Sequence, residues 1–243
     1  MPSVSVVVLC RNQESNLAQI LAALDSQTLR PAEVIIADDR SVGHIEAVAA
    51  RSGCRYVSTA PHLGDHRDGN RALTRQIGAI SASHDLIAYL DGDIIPSCGF
   101  LQIGAEVARL GKVVRAPRRV ARERSPVDDL ERCLGFAEFT SDSFVARRPD
   151  VLSIGGWDER FEGWGEEDVE FAYRCEREGL PIVQVEHAAF FGRHLDHPVD
   201  YEKNFASLLK NAAYFTQKHP RVQESRGPYW QSMDMYLAHY YRW

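Results

Sequence analysis

Three short strings in this chain of 243 residues carry side chains able to do chemistry. Asp91-Gly92-Asp93 sets two carboxylates either side of a glycine. Hard oxygen donors at that spacing can hold a divalent cation, and the glycine allows a sharp turn and the close approach of a phosphate. A cation there would bridge a diphosphate and absorb the charge that appears when the diphosphate leaves. Gly163-Trp164-Gly165-Glu166-Glu167-Asp168 places an indole between glycines, a platform for the apolar face of a sugar ring. Acids follow at once, at a predicted helix start where the dipole favours carboxylates. Asp168 lies four residues beyond Trp164, so a helical turn would face both into one cleft. His194 and His197, at i and i+3, can share a face and therefore a metal. Aspartate oxygen with imidazole nitrogen suits Mn2+ as well as Mg2+. Each string also has a plainer reading: a solvated turn, acids that only cap a helix (Glu166 above all), and surface histidines.

The elements that carry these strings help to choose between the readings. Val4 to Leu9 is a β-branched run that reads as a buried strand, and Leu17, Ile20, Leu21 and Leu24 follow at helical spacing. Glu33 to Ala37 is a second strand and stops at Asp38-Asp39; Ser41 can cap the next helix, through about Ala50. Cys54 to Val57 is a short third strand, Ala72 to Ser81 a helix, and Leu86 to Leu90 a fourth strand that stops at Asp91. Strands alternating with helices predict parallel βαβ units in a doubly wound sheet, with ligands beyond the carboxyl ends of the strands. Both acidic clusters sit at such ends.

Past about Phe100 the regularity fades. Arg115, Arg118, Arg119, Arg122 and Arg124 form a basic stretch, read first as a solvated face and second as an attractor for an anionic acceptor or a lipid surface. Phe144 to Ala146 and Ile182 to Val185 read as strands, Glu166 to Glu178 as a helix, and the aromatic tail from Tyr201 as helical.

Hydrophobic residues at 44% and charged residues at 26% fit a soluble globular protein and exclude bulk disorder. A net charge of −6 speaks against a nucleic-acid groove over much of the surface. Five scattered cysteines without a Cys-x-x-Cys pair fit neither a zinc ribbon nor a disulfide framework. The run Val4 to Leu9 is far too short for a signal sequence or membrane span, so a cytoplasmic protein with at most peripheral membrane association is expected.

Over most of its length the chain resembles a nucleotide-sugar glycosyltransferase of the GT-A fold, family 2 type. The resemblance rests on the opening strand with Arg11-Asn12-Gln13-Glu14, on Ile35 to Ser41, on Arg75 to Ala79 and on Asp91-Gly92-Asp93. Ser141 to Arg148, Gly155 to Glu159, Gly163-Trp164-Gly165 and Glu167-Asp168 are similar to the galactosyltransferase-like segment of β-1,4-galactosyltransferases and bacterial chondroitin-type polymerases. Arg40 stands where the family has glycine and Gln76 where it has asparagine, so the base bound stays open.

The resemblance implies a Rossmann-like, mostly parallel α/β sheet whose acceptor-binding carboxyl-terminal lobe shares the same core. Residues 1–100 would form the nucleotide-sugar half and 101–243 the acceptor-binding, catalytic half. It implies donor contacts from Asp38, Asp39, Arg75 and Asp91, acceptor contacts from Gly156, Trp164 and Glu167, and Asp168 as catalytic base. Asp93 with His194 or His197 would hold Mn2+ or Mg2+. The Glu167-Asp168 pair points to inversion, since related retaining enzymes carry Glu-Asn there. The expected function is transfer of a sugar from a nucleotide diphosphate donor, UDP-sugar first, to a hydroxyl of a carbohydrate or glycoconjugate. Two other readings are a non-catalytic sugar-binding homologue and a sugar nucleotidyltransferase. The second lacks support at Cys10-Arg11-Asn12-Gln13, where such enzymes have a glycine-rich loop.

Overall fold

The structure, a computed structural model, describes residues 2–63, 69–119, 130–195 and 201–222. The chain opens with β1 (Val4–Cys10), α1 (Glu14–Asp25), β2 (Glu33–Asp38), α2 (Ile45–Arg51), β3 (Arg55–Ser58) and α3 (Ala60–Leu63). Next come α4 (Arg71–Ser81), β4 (Leu86–Asp91), β5 (Ile94–Pro96) and α5 (Phe100–Ala108). The second half adds β6 (Val113–Arg115), β7 (Arg118–Arg119), β8 (Leu130–Cys133), β9 (Ser143–Arg147) and α6 (Arg148–Ser153). It continues through α7 (Glu167–Arg177), β10 (Ile182–Glu186), β11 (Gly192–His194) and α8 (Tyr201–Lys218).

Every residue of β1 is buried, as a branched apolar run without a polar face requires. It lies inside an eight-stranded sheet of order β3-β2-β1-β4-β9-β6-β10-β8, parallel from β3 to β4. β9 runs against both β4 and β6, and β8 against β10. The expected mostly parallel, doubly wound sheet is present, and strands of both halves of the chain build it. Alternate β1 residues feed two cores. Val4, Val6 and Val8 pack with Leu17, Ile20 and Leu24 of α1 and with Phe100 of α5. Val7 and Leu9 pack with Ala72 of α4, Phe171 of α7 and Phe215 of α8. Helices therefore cover both faces.

Five strands escaped the sequence reading: β5, β6, β7, β8 and β11 are two to four residues long, too short for any periodicity to register. Three of them form a separate small sheet, β5-β11-β7, against the site end of the molecule. Ser41 does not cap α2, which starts at Ile45 with His44 before it. Its amide and hydroxyl bond the Asp38 carboxylate instead, the hydroxyl at 2.5 Å. The basic stretch is not simply a solvated face. Arg119 is buried with its guanidinium 4.3 Å from the Phe191 ring centroid, and Arg115 donates to Thr140 and Gln184. Arg122, Arg124, His197 and the tail beyond 222 lie outside the described residues. Among the described residues no helix is long and apolar enough to cross a membrane.

Candidate active site

Strand register brings the first two acidic clusters together. β1 lies between β2 and β4, with Cys10 opposite Asp38 and Leu9 opposite Asp91, so both clusters emerge at one end of the sheet on either side of β1. The connections run to opposite sides there, which opens a crevice at the strand ends. A cavity of about 190 Å³ fills it, lined by Arg11, Asp39, Arg71, Asp91 and Asp93 among others. The Asp39 carboxylate accepts the Asn70 amide at 3.1 Å and lies 3.4 Å from Arg11. Asp38 turns the other way, toward Ser41 and the Tyr56 hydroxyl at 2.8 Å, and is not part of the cavity wall.

β11 runs antiparallel to β5 with His194 opposite Ile94, next to Asp93. This register sets His194 Nε2 3.5 Å from Asp93 Oδ2. The two predicted metal ligands therefore meet, although not through the helical i, i+3 face suggested by the histidine spacing, since His194 sits on a strand. No cluster of three or more His, Cys, Asp or Glu side chains suited to a metal forms among the described residues. A carboxylate oxygen beside an imidazole nitrogen still fits a divalent cation that takes its remaining ligands from phosphate oxygens and water.

Arg75 ties this crevice to the next. Its side chain is 1% exposed and donates to Asp91 Oδ1 at 2.9 Å and to Glu167 Oε1 at 3.2 Å, with the guanidinium 5.0 Å from the Trp157 ring centroid. The two carboxylates hold Arg75 firmly in its charged form. Burial lifts the Asp91 carboxyl above its ordinary range even so.

Glu167 arrives there through an unusual turn. Gly163, Gly165 and Glu166 all have positive φ, at 74°, 95° and 69°, and α7 starts directly after them. At φ +95° Gly165 occupies a position that favours glycine, and a methyl group there would also come within 2.7 Å of the Leu208 side chain. α8 braces the turn: Asn211 donates to the Glu162 and Gly165 carbonyls at 2.9 and 2.8 Å, and Ser207 receives the Trp164 amide at 3.1 Å. The Gly163 amide bonds the Gly69 carbonyl at 2.7 Å, which ties the turn to the start of α4.

A second cavity, of about 450 Å³, lies against this turn, and Trp164, Glu167, Asp168, Arg75, Asp91 and Arg71 are in its wall. Trp164 and Asp168 thus share a cleft as expected, but the positive-φ turn rather than a helical one brings them there. Asp168 is partly open to the cavity and otherwise hemmed in by protein. Burial, with the adjoining Glu167 carboxylate, pushes its carboxyl up to about 7 against the pull of Arg75 and of the Val169 amide. A carboxylate with that affinity for a proton is suited to general-base work near neutral pH. Glu166 caps nothing with its side chain; it is buried at 2% exposure.

Arg71 and Asp91 belong to both cavities, so the two adjoin, with Asp93 in the wall of the smaller, His194 beside Asp93, and Asp168 in the wall of the larger. Gly156 stands apart from both: the residue has φ +63°, and a methyl group there would strike Gln76, whose Oε1 receives the Trp157 amide at 2.8 Å. Gly156 therefore shapes the packing under the site rather than its wall.

Sequence reasoning missed Arg71 and Asp142, both in the wall of the larger cavity, where Arg118 of the basic stretch also stands. Arg71 had a signal, since Asn70 caps α4 by accepting the Leu73 amide at 2.8 Å, and an N-cap at the carboxyl end of the sheet places the next residue at the crevice. Asp142 had none from strand ends, because β9 is antiparallel and its beginning, not its end, meets the site.

Residues 5–132 match the model of the family described as glycosyl transferase family 2, and residues 126–198 match one described as the N-terminal domain of galactosyltransferase. A validoxylamine A glucosyltransferase of Streptomyces hygroscopicus subsp. limoneus is 27% identical over 269 residues, which cover 91% of this chain and 58% of that protein. The chain therefore spans under two thirds of that relative's length. A crystal structure of GalNAc-T7 with UDP, GalNAc and Mn2+ superposes with a TM-score of 0.69 at 16% identity, over 89% of this chain and 48% of that one. S. aureus TarS 1–349 in complex with UDP-GlcNAc gives 0.64 at 12% identity, over 83% and 60%. The likeness to these structures establishes the GT-A fold.

Proposed function

The chain belongs to glycosyl transferase family 2, and from that premise we propose an inverting, metal-dependent transfer of a sugar from a UDP-sugar to an acceptor hydroxyl. One observation carries the reading: Asp93, with His194 beside it, and Asp168 stand in the walls of two adjoining cavities that share Arg71 and Asp91, in this scheme the two ends of one cleft. A leaving diphosphate at the first end and a proton acceptor at the second leave the anomeric carbon between them, open to attack from the side opposite the leaving group.

Asp39, fixed by the Asn70 amide, faces the nucleoside side of the smaller cavity. Arg71, exposed at the junction, meets the diphosphate charge. Trp164 seats the acceptor ring, and Asp168 takes the proton of the attacking hydroxyl, help worth about 10²–10⁴-fold. Arg75 touches neither substrate in this scheme. It holds Glu167 and Asp91 and so sets the distance between the two ends. A divalent cation bound by Asp93 and His194 would supply charge neutralisation to the leaving diphosphate. The UDP in the GalNAc-T7 and TarS structures, and the Mn2+ in the former, support the choice of donor and metal.

The test is release of UDP from UDP-glucose, UDP-galactose and UDP-GlcNAc with Mn2+ present, together with thermal shifts for each donor. At least one donor should stabilise the protein and turn over, EDTA should stop turnover, and added Mn2+ should restore it. Absence of any UDP-sugar binding, or full turnover in chelator, contradicts the proposal.

A further inference from the structure

The larger cavity contains a carboxylate that this scheme does not use. Asp142 is 8% exposed and stands in the cavity wall with Trp164 and Asp168. Its Oδ1 accepts the Thr140 hydroxyl at 3.2 Å, whose own oxygen receives Arg115 Nε at 2.9 Å. Its backbone carbonyl takes the Asp91 amide at 2.8 Å, which fixes the residue beside the site. Its Oδ2 has no hydrogen-bond partner among the described residues.

A buried carboxylate oxygen without a partner forfeits solvation that nothing among the described residues returns. Burial pushes the Asp142 carboxyl up to about 6, while Arg115 and Arg118 draw it down and Asp91 opposes them. The group is therefore largely ionised at neutral pH, as an acceptor of hydrogen bonds and not a donor. The charges around the cavity also favour a donor from outside. Arg75 is committed to Asp91 and Glu167, and Arg115 to Thr140 and Gln184, while Arg118 is exposed on the wall.

We infer that Asp142 is a substrate-binding residue whose carboxylate accepts a hydrogen bond from a hydroxyl or ammonium group of the acceptor sugar seated on Trp164. This rests on the reading of the cleft given above and adds the residue that selects among acceptors. A sugar lacking a hydrogen-bond donor at that place leaves Oδ2 buried and unpaired, so the pocket rejects it by more than the value of one contact.

The probes are methyl β-D-glucopyranoside, methyl β-D-galactopyranoside and their 2-amino-2-deoxy counterparts, titrated by calorimetry into the UDP-bound protein. At least one should bind, and Asp142→Ala should weaken it about 10- to 100-fold with UDP affinity unchanged. Asp142→Asn separates the two sources, since a neutral amide oxygen still accepts from a hydroxyl but loses the attraction for an ammonium group. Should Asp142→Ala fail to fold, Asp142→Ser carries the same comparison. Equal glycoside affinity in wild type and variant, or no glycoside binding by protein that binds UDP, overturns the assignment. Failure of the wild-type protein to bind UDP brings down the reading of the donor cavity instead, and this assignment with it.

Discussion

The two ends of the cleft are built by different means. At the proposed donor end Asp39, Asp91 and Asp93 sit where strands of a parallel sheet stop, and ladder register alone brings them together. At the proposed acceptor end Trp164, Glu167 and Asp168 hang on a turn with three positive-φ residues, held by α8 and by Arg75. One end is therefore as rigid as the sheet, and the other is only as well placed as its braces. Variants that strike the α8 braces should disturb acceptor chemistry and spare the nucleotide cavity, whereas Arg75 reaches both ends.

The largest effect is expected from Arg75→Met, which leaves Asp91 and Glu167 buried without their shared cation. Breaking such a pair costs about 3–5 kcal/mol, and urea unfolding measures it. Stability within about 1 kcal/mol of wild type would show that Arg75 is not the link between the ends. Gly165→Ala strikes the acceptor end alone: strain at φ +95° and the Leu208 contact should cost about 1–3 kcal/mol and raise acceptor KM with UDP affinity intact. A parallel fall in UDP affinity would erase the contrast drawn here.

The pH dependence should carry the mark of the acceptor end. Asp168 must be ionised to take a proton, and burial, with the Glu167 and Glu166 carboxylates, raises its carboxyl to about 7 while Arg75 restrains it. Turnover should rise with pH through about 7 and lie about tenfold below its plateau at pH 6. A flat profile from pH 6 to 8 would remove Asp168 from the role of base. The smallest effect belongs to Ser41→Ala, which removes the hydroxyl bond to Asp38 at the donor end. It should cost about 0.5–1.5 kcal/mol of stability and leave acceptor KM unchanged.

The same contrast governs how much could be read in advance. Val4 to Leu9, Glu33 to Ala37 and Leu86 to Leu90 announced themselves as strands by branched apolar runs, and with them came the location of Asp39, Asp91 and Asp93. Asp142 escaped because it precedes an antiparallel strand, a direction no local pattern encodes. Arg118 and His194 lie on strands of two and three residues whose existence depends on partners far along the chain. Ser41 looked like a helix cap because serine serves either use, and only the position of Asp38 selects between them. The string from Gly163 to Asp168 was recognisable by composition, yet its geometry required Asn211 and Leu208 from a helix some forty residues later.

In the proposed mechanism proton removal and nucleotide binding occupy separate ends of one cleft. Measuring turnover and UDP affinity side by side in Asp168→Asn tests it most directly, because the amide keeps the shape and removes the base. Turnover should fall by about 10²–10⁴-fold while UDP affinity stays within twofold of wild type. Equal losses in both, or wild-type turnover, would contradict the account.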